Sequence, residues 1–147
     1  MDRVVLDASI YVKIFKNETD SKQAIDLVDD LIRSHAQMIE PSIAISETIT
    51  ICEASKQNID KACDFFSALI DNVIHVVEVD DSLVRQSCEI TKIGHDKSGY
   101  PTFNDCLYHA IAIRENALFI TADKRHYEKT KHLGNIKLLR CSSPNLI

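Results

Sequence analysis

The sequence predicts an α/β fold in which a central, mostly parallel sheet of four to five strands is flanked by helices. Short β-branched or apolar runs alternate along the chain with longer segments whose apolar residues recur every three to four positions. Strands that alternate with helices form parallel sheets covered on both faces. The length of 147 residues suits a single domain, residues 1–147, with one hydrophobic core.

The elements follow one another along the chain. Strands are predicted at residues 4–6, 37–40, 73–79, 118–121 and 136–139. Helices are predicted at residues 21–35, 42–55, 59–70, 81–93, 102–116 and 124–132, with a short helical turn at 9–15. Pro41 is expected to stop the second strand, and Ser42 to cap the helix after it. The one conspicuous loop spans residues 94–101 and contains two of the three glycines.

The composition narrows the functional classes. A net charge of −5 has the wrong sign for a protein that holds nucleic acid by charge alone. No apolar stretch approaches the length of a membrane-spanning helix, and the N-terminus has no secretory-signal pattern. The five cysteines are far apart and show no C-x-x-C spacing, which favours reduced thiols over a disulfide framework. We therefore expect a cytoplasmic protein that does not associate with membranes.

A basic segment near the C-terminus departs from this acidic balance. Residues 123–140 contain six Lys or Arg residues and two acidic ones, so the segment is locally +4. A solvated helix face is the simplest interpretation, and contact with an RNA backbone is the alternative. The residues that would make such a contact are Lys124, Arg125, Lys129 and Lys131.

Acidic residues follow two of the predicted strands. Parallel sheets bind ligands beyond the carboxyl ends of their strands, where the strand order reverses, so a site is expected just after Leu6, Glu40 and Thr121. Asp7 follows the first strand directly, and Asp123 follows the strand that ends at Thr121. Each could instead cap the next helix, because Asp is a preferred N-cap residue. Together they place two carboxylates at the edge where a parallel sheet carries its site.

Two further acidic residues lie in predicted helices. Asp105 is three residues after Thr102, the spacing of a capping box with Asp in place of Glu or Gln, so a purely structural role stays open. Glu47 lies in the middle of an apolar helix face, too far from the helix start to act as a cap. Because burying an unpaired charge is costly, we expect a cationic group to meet Glu47.

A shared pocket for these carboxylates predicts a metal site. Carboxylates in one pocket repel each other, and one or more takes up a proton unless a cation is bound. Oxygen ligands without a Cys or His partner set favour Mg²⁺ or Mn²⁺ over Zn²⁺. One or two such ions activate water for attack on a phosphodiester and neutralise the departing charge. The acidic net charge is then no objection to a nucleic-acid substrate.

The order of the acidic motifs resembles that of a PIN domain, and within that family most closely the toxin nucleases of VapBC-type toxin–antitoxin pairs. The matching motifs are Leu-Asp-Ala-Ser at residues 6–9, Pro-Ser-x4-Glu at 41–47, the helix opened by Asp105 with Ala110 and Ala112, and Phe-Ile-Thr-Ala-Asp-Lys at 119–124. The resemblance covers nearly the whole chain. It implies a PIN-like fold and a metal-dependent endoribonuclease acting on structured or messenger RNA.

The resemblance also assigns residues and partners. It implies a metal-binding and catalytic set formed by Asp7, Glu47, Asp105 and Asp123. Ser9 matches a small polar residue near the metal, although it could simply bond backbone, and Thr121 matches a residue that braces the site, although strand packing alone would explain it. A homodimer and a cognate antitoxin protein are implied as partners beside the RNA substrate. The basic segment becomes a better candidate for RNA-backbone contact.

Departures and alternatives remain. Cys106 replaces the small residue that often follows the third acid, and the 94–101 loop leaves substrate preference open. Cys106 and His109 share a helix face, so a cysteine nucleophile is conceivable, although apolar neighbours favour a core thiol. A phospho-Asp enzyme fits poorly, because Asp7-Ala8-Ser9 lacks the second Asp of phosphatases. A housekeeping RNA-processing PIN nuclease, or a catalytically silent PIN scaffold that binds RNA or protein, stays open as well.

Overall fold

The computed structural model describes residues 2–139, which contain five strands and seven α-helices. The strands are β1 (Arg3–Leu6), β2 (Gln37–Pro41), β3 (Ile74–Val77), β4 (Leu118–Thr121) and β5 (Ile136–Leu138). The helices are α1 (Ala8–Phe15), α2 (Ser21–Arg33), α3 (Ser42–Ala54), α4 (Ile59–Leu69), α5 (Asp81–Thr91), α6 (Phe103–Arg114) and α7 (Lys124–Thr130), and a 3₁₀ turn (Lys131–Leu133) follows α7.

The five strands form one parallel sheet in the order β3-β2-β1-β4-β5. The predicted α/β class is therefore confirmed, as are the parallel pairing and the five strands. The chain moves outward from β1 to β2 and β3, then returns to place β4 on the other side of β1. The strand order thus reverses between β1 and β4, and a crevice opens there at their carboxyl ends.

Helices cover both faces of the sheet around a single core. Right-handed crossovers place α1 to α4 on one face and α5 to α7 on the other, in agreement with the packing of α1 on α2 and α3 and of α5 on α6. The middle strands β1 and β4 supply the core with fully buried side chains such as Val5, Leu6 and Phe119. None of the helices in residues 2–139 is long and apolar enough to span a membrane.

The structure corrects the predicted details at element ends. Ser42 is not the cap of α3: Pro41 is the last residue of β2 and occupies the N-cap position without a side-chain hydrogen bond. Proline fits there because the strand stops at this point and the missing N–H is not needed. The third strand and the helix after it are shorter than predicted, and the predicted helix 124–132 tightens into the 3₁₀ turn after Thr130.

Candidate active site

Asp7 lies at the carboxyl end of β1, where its carboxylate is only 3% exposed. It caps α1 by accepting the Ile10 amide at 3.4 Å. The hydroxyl of Ser9 donates to one carboxylate oxygen, and the hydroxyl of Thr121 donates to the other at 2.5 Å. Asp7 can therefore cap α1 and belong to the site at the same time. Ser9 and Thr121, the two residues expected to support the site, both contact its carboxylate directly.

Thr121 connects the ends of the two strands that flank the crevice. Its hydroxyl donates to Asp7 from the end of β4 and accepts the backbone N–H of Asp123 at 3.0 Å. Asp123 in turn caps α7 through the His126 amide at 3.0 Å. Register explains the contact, because Leu6 pairs with Ile120 across β1 and β4, which brings the residues that follow both strands side by side.

Asp105 approaches the same crevice from the first turn of α6. Thr102 caps this helix by accepting the Asp105 amide at 3.4 Å, as the capping-box spacing predicted. Burial raises the pKa of Asp105 to about 7, and the neighbouring carboxylates of Asp7 and Asp123 add to the shift. Burial likewise raises the pKa of Asp7 to about 6, where hydrogen bonds from Ser9 and Thr121 oppose the rise. These three acids repel one another.

Glu47 is connected to α6 by two side-chain hydrogen bonds. From α3, its half-buried carboxylate accepts the Tyr108 hydroxyl at 2.8 Å and the Asn104 amide at 3.3 Å. Within residues 2–139 no Lys, Arg or His side chain forms an ion pair with Glu47, so the expectation that a cationic group meets this carboxylate stays a prediction. Asn104 precedes Asp105 in sequence, so α6 links Glu47 to the three converging acids.

Glu40 is a buried acid that the sequence reasoning did not single out, although it marked the end of this strand. Its side chain is 1% exposed and accepts the Leu6 amide, immediately before Asp7, at 2.8 Å. Its second oxygen and the Tyr11 hydroxyl interact with each other and have no other hydrogen-bond partner among the described residues. Burial raises the pKa of Glu40 well above its usual range. The sequence did contain a signal for this buried acid, because Glu40 directly follows the apolar residues Met38 and Ile39 in the predicted strand.

The basic residues of α7 have partners in the loop and in their own helix. Arg125 and Lys129 both donate to the Ser98 carbonyl, at 3.1 and 2.5 Å, and so bind the 94–101 loop. Lys131 forms an ion pair with Glu128 at 2.9 Å, whereas Lys124 is exposed. The last basic residue of the segment, Arg140, lies outside the described residues.

Cys106 and His109 do not form a nucleophilic pair. Cys106 is fully buried, and burial raises the pKa of its thiol to about 12, so it is protonated at neutral pH. His109 instead donates through Nε2 to the Gly134 carbonyl at 2.8 Å and lies 3.4 Å from His126. Cys106 is a packing residue, in agreement with the core-thiol interpretation.

An acidic cleft of about 120 Å³ opens between the 94–101 loop, the start of α6 and α7. Its walls include Asp105 and Asp123, the cations Arg125 and Lys129, and the ring of Tyr100. A larger groove of about 850 Å³ lies at the opposite, amino ends of β1, β4 and β5, beside α2. In the described part of the chain, no three His, Cys, Asp or Glu side chains form a group that could hold a metal ion as they stand.

Comparison with known proteins identifies the family of this architecture. A family model described as the PIN domain matches residues 4–132. No curated protein sequence matches the chain significantly.

Solved structures share the same fold at low sequence identity. VapC20 of Mycobacterium tuberculosis, a sarcin–ricin loop cleaving toxin, has a TM-score of 0.63 and 17% identity over 85% of this chain and 93% of its own. VapBC2 of Rickettsia felis, bound to a fragment of promoter DNA, has a TM-score of 0.64 and 20% identity over 92% and 96%. VapBC-1 of nontypeable Haemophilus influenzae has a TM-score of 0.64 and 16% identity over 96% and 99%.

Proposed function

Because the chain belongs to the PIN-domain family, we propose that it is a metal-dependent endoribonuclease and the toxin of a toxin–antitoxin pair. One observation carries the proposal. Asp7, Asp105 and Asp123 come from three separate elements to one crevice, and none of them has an ion-pair partner within residues 2–139. Acids that serve only stability are normally paired or solvated.

The donor chemistry of the crevice fits Mg²⁺ or Mn²⁺. Its available ligands are carboxylate oxygens, the hard donors that these ions prefer. Burial and, to a smaller extent, the neighbouring carboxylates raise the pKa values of Asp7 and Asp105, and a bound cation would oppose this rise by stabilising the charged forms. Mg²⁺ usually keeps several waters and takes only one or two carboxylates directly, so a complete protein cage is not required. We assign Asp7, Glu47, Asp105 and Asp123 to hold one or two ions.

The residues of this chain would divide the work. When bound, the divalent ion supplies an activated water and positive charge at the phosphodiester. Asp7 is held in one orientation by Ser9 and Thr121, which limits the freedom that ligand binding must remove. Tyr108 and Asn104 do the same for Glu47. Arg125 and Lys129 line the same cleft as Asp105 and Asp123, and together with Lys124 and Lys131 they are the candidates for contact with RNA phosphates.

The partners belong to the proposal as well. The similar structures include VapBC toxin–antitoxin proteins, and one similar toxin cleaves the sarcin–ricin loop, an RNA element. We therefore infer an antitoxin protein as partner, RNA as substrate, a homodimer as the assembly, and a cytoplasmic location. Free thiols at all four described cysteines support a reducing compartment.

The test is cleavage of labelled RNA by the purified protein with Mn²⁺, with EDTA, and with Asp7→Asn. We expect cleavage only by the wild type with metal, and an unchanged circular dichroism spectrum for the variant. Asp64→Asn, which changes an exposed acid on α4, is the matched control and should cut like the wild type. Equal cleavage by Asp7→Asn would contradict the proposal, and no cleavage by any protein would favour a silent RNA- or protein-binding scaffold.

A further inference from the structure

Tyr100 is an exposed aromatic residue on the wall of the acidic cleft. Its side chain is 52% exposed, and it lines the cleft together with Asp105 and Asp123. Among the described residues only one other aromatic side chain, Phe103, is exposed, and it lies three positions further on. The remaining Phe and Tyr rings among these residues are buried or half-buried. The exposed Phe and Tyr rings are therefore close in sequence to Asp105.

The ring of Tyr100 is held in place although it faces solvent. Its hydroxyl donates to Asp96 at 2.8 Å. A side chain at Gly94 would lie 2.8 Å from the ring and 2.5 Å from the Gly99 carbonyl, so the absence of a side chain there lets the ring pack on backbone. His95 and Gly99 close the loop with reciprocal backbone hydrogen bonds of 3.2 and 2.6 Å. A pre-organised ring loses little entropy when a ligand binds.

Two cations fix this loop against α7 and add positive charge to the cleft. Arg125 and Lys129 both bind the Ser98 carbonyl, two residues before Tyr100. Guanidinium and ammonium groups have five and three donors, so each keeps donors for a phosphate after this contact. The cleft thus combines acids, cations and a fixed aromatic ring. Sites for single-stranded nucleic acid combine a cationic surface with aromatic rings on which bases stack.

We propose that Tyr100 forms a base-binding subsite, in which its ring stacks on an unpaired RNA base next to the phosphodiester bond that the acidic residues address. The inference rests on the proposed nuclease function and adds to it a residue that holds one unpaired base of the substrate. A base inside a duplex already stacks on its neighbours and has no free face for the ring.

Binding and cleavage are measured separately to test this subsite. Binding uses the Asp7→Asn protein and a short single-stranded RNA that contains 2-aminopurine, whose fluorescence falls on stacking, with an RNA duplex of the same sequence as the control ligand. Cleavage of the same single strand uses the protein with Asp7 intact and Mn²⁺. Both assays compare Tyr100→Ala, Tyr100→Leu and Tyr100→Phe. Val79→Ala, which changes an exposed apolar residue outside the cleft, is the control variant.

Loss of the ring should weaken binding of the single strand. Base–aromatic stacking is worth about 1–3 kcal/mol, so Tyr100→Ala and Tyr100→Leu should bind roughly 5- to 150-fold more weakly and lose fluorescence quenching. Tyr100→Phe keeps the stacking face and should bind within about threefold of the parent. Duplex binding should not depend on residue 100. In cleavage, the loss should raise KM and not lower kcat.

The outcomes separate this inference from the proposed function. Metal-dependent cleavage together with Tyr100→Ala binding like its parent would overturn the subsite and leave the nuclease intact. An equal loss for single strand and duplex, or for Phe and Ala, would also overturn it, because the effect would then not come from stacking. A protein that neither binds nor cuts RNA would refute both proposals.

Discussion

The two ends of the sheet carry acidic residues in opposite circumstances. At the amino end, Glu115 before β4 lies 3.8 Å from both Arg3 and Arg114, and Arg114 also pairs with Asp80 at 3.0 Å. At the carboxyl end, Asp7 and Asp105 are met by hydroxyl and backbone donors and by each other's charge. Glu115 and Asp80 thus have arginine partners, whereas Asp7 and Asp105 have no ion-pair partner among the described residues.

The larger cavity is not at the end of the sheet that carries the acids without ion-pair partners. The groove at the amino ends is about 850 Å³ and the acidic cleft about 120 Å³. The larger groove is lined by acids and cations of mixed sign, such as Asp30 and Arg33. Uncompensated charge is costly to maintain in a fold, so it indicates function more strongly than volume does.

The largest expected effect comes from exchanging one acid at each end for its amide. Asp105→Asn should reduce Mn²⁺-dependent RNA cleavage by at least about a thousandfold, because it removes a proposed ligand, and should raise the stability of the metal-free protein by relieving repulsion. Glu115→Gln should leave cleavage unchanged and reduce the free energy of unfolding by at most about 1 kcal/mol. Single-turnover cleavage and urea denaturation in EDTA measure both. The reverse pattern would invalidate the comparison.

The pH dependence of stability should be set by the carboxyl end. The folded-state pKa of Asp7 is about 6 against an ordinary 3.8, so the folded protein retains a proton that the unfolded chain loses between about pH 4 and 6. The free energy of unfolding therefore falls as pH rises through this window, by roughly 3 kcal/mol for this group.

Urea denaturation in EDTA from pH 4 to 8 checks this, and the difference between the wild type and Asp7→Asn isolates the contribution of Asp7. The subtraction is necessary because Asp105, with a raised pKa of about 7, changes stability in the same direction, whereas His126, with a lowered pKa of about 4, changes it in the opposite direction. Mn²⁺ should restore stability at pH 7 in the wild type only. A difference in unfolding free energy that does not change with pH would mean that folding does not raise the pKa of Asp7.

A smaller effect on stability is expected at Glu40, whose carboxyl group accepts the backbone amide of the residue before Asp7. Glu40→Ala leaves the Leu6 amide without its acceptor and should cost about 1–3 kcal/mol of unfolding free energy. Glu40→Gln keeps an acceptor and adds a donor toward the Tyr11 oxygen, so it should be neutral or stabilising. Chemical denaturation compares the two variants. If Gln proved as damaging as Ala, the negative charge of Glu40, and not its hydrogen bond, would be needed.

Much of the fold and part of the site followed from local pattern. The positions of Asp7 and Asp123 at the carboxyl ends of two strands were predicted, because a strand, an Asp and a helix that follow one another within a few residues can be recognised along the chain. The end of β2 and the N-cap of α3 were each predicted one residue away from Pro41, because side-chain preference alone does not fix where a strand ends. The two donors to Glu47 were not predicted, since Tyr108 and Asn104 lie 61 and 57 residues away in sequence.

By itself, the sequence determined the alternation of strands and helices, the parallel sheet, and which acids follow its strands. Periodicity and helix capping involve neighbours a few residues apart, so they can be recognised along the chain. Only the tertiary structure decided that Thr121 donates to Asp7, that Glu40 supports the peptide before Asp7, and that Arg125 and Lys129 hold the loop of Tyr100. These contacts depend on strand order and register, which bring together side chains that no local spacing relates.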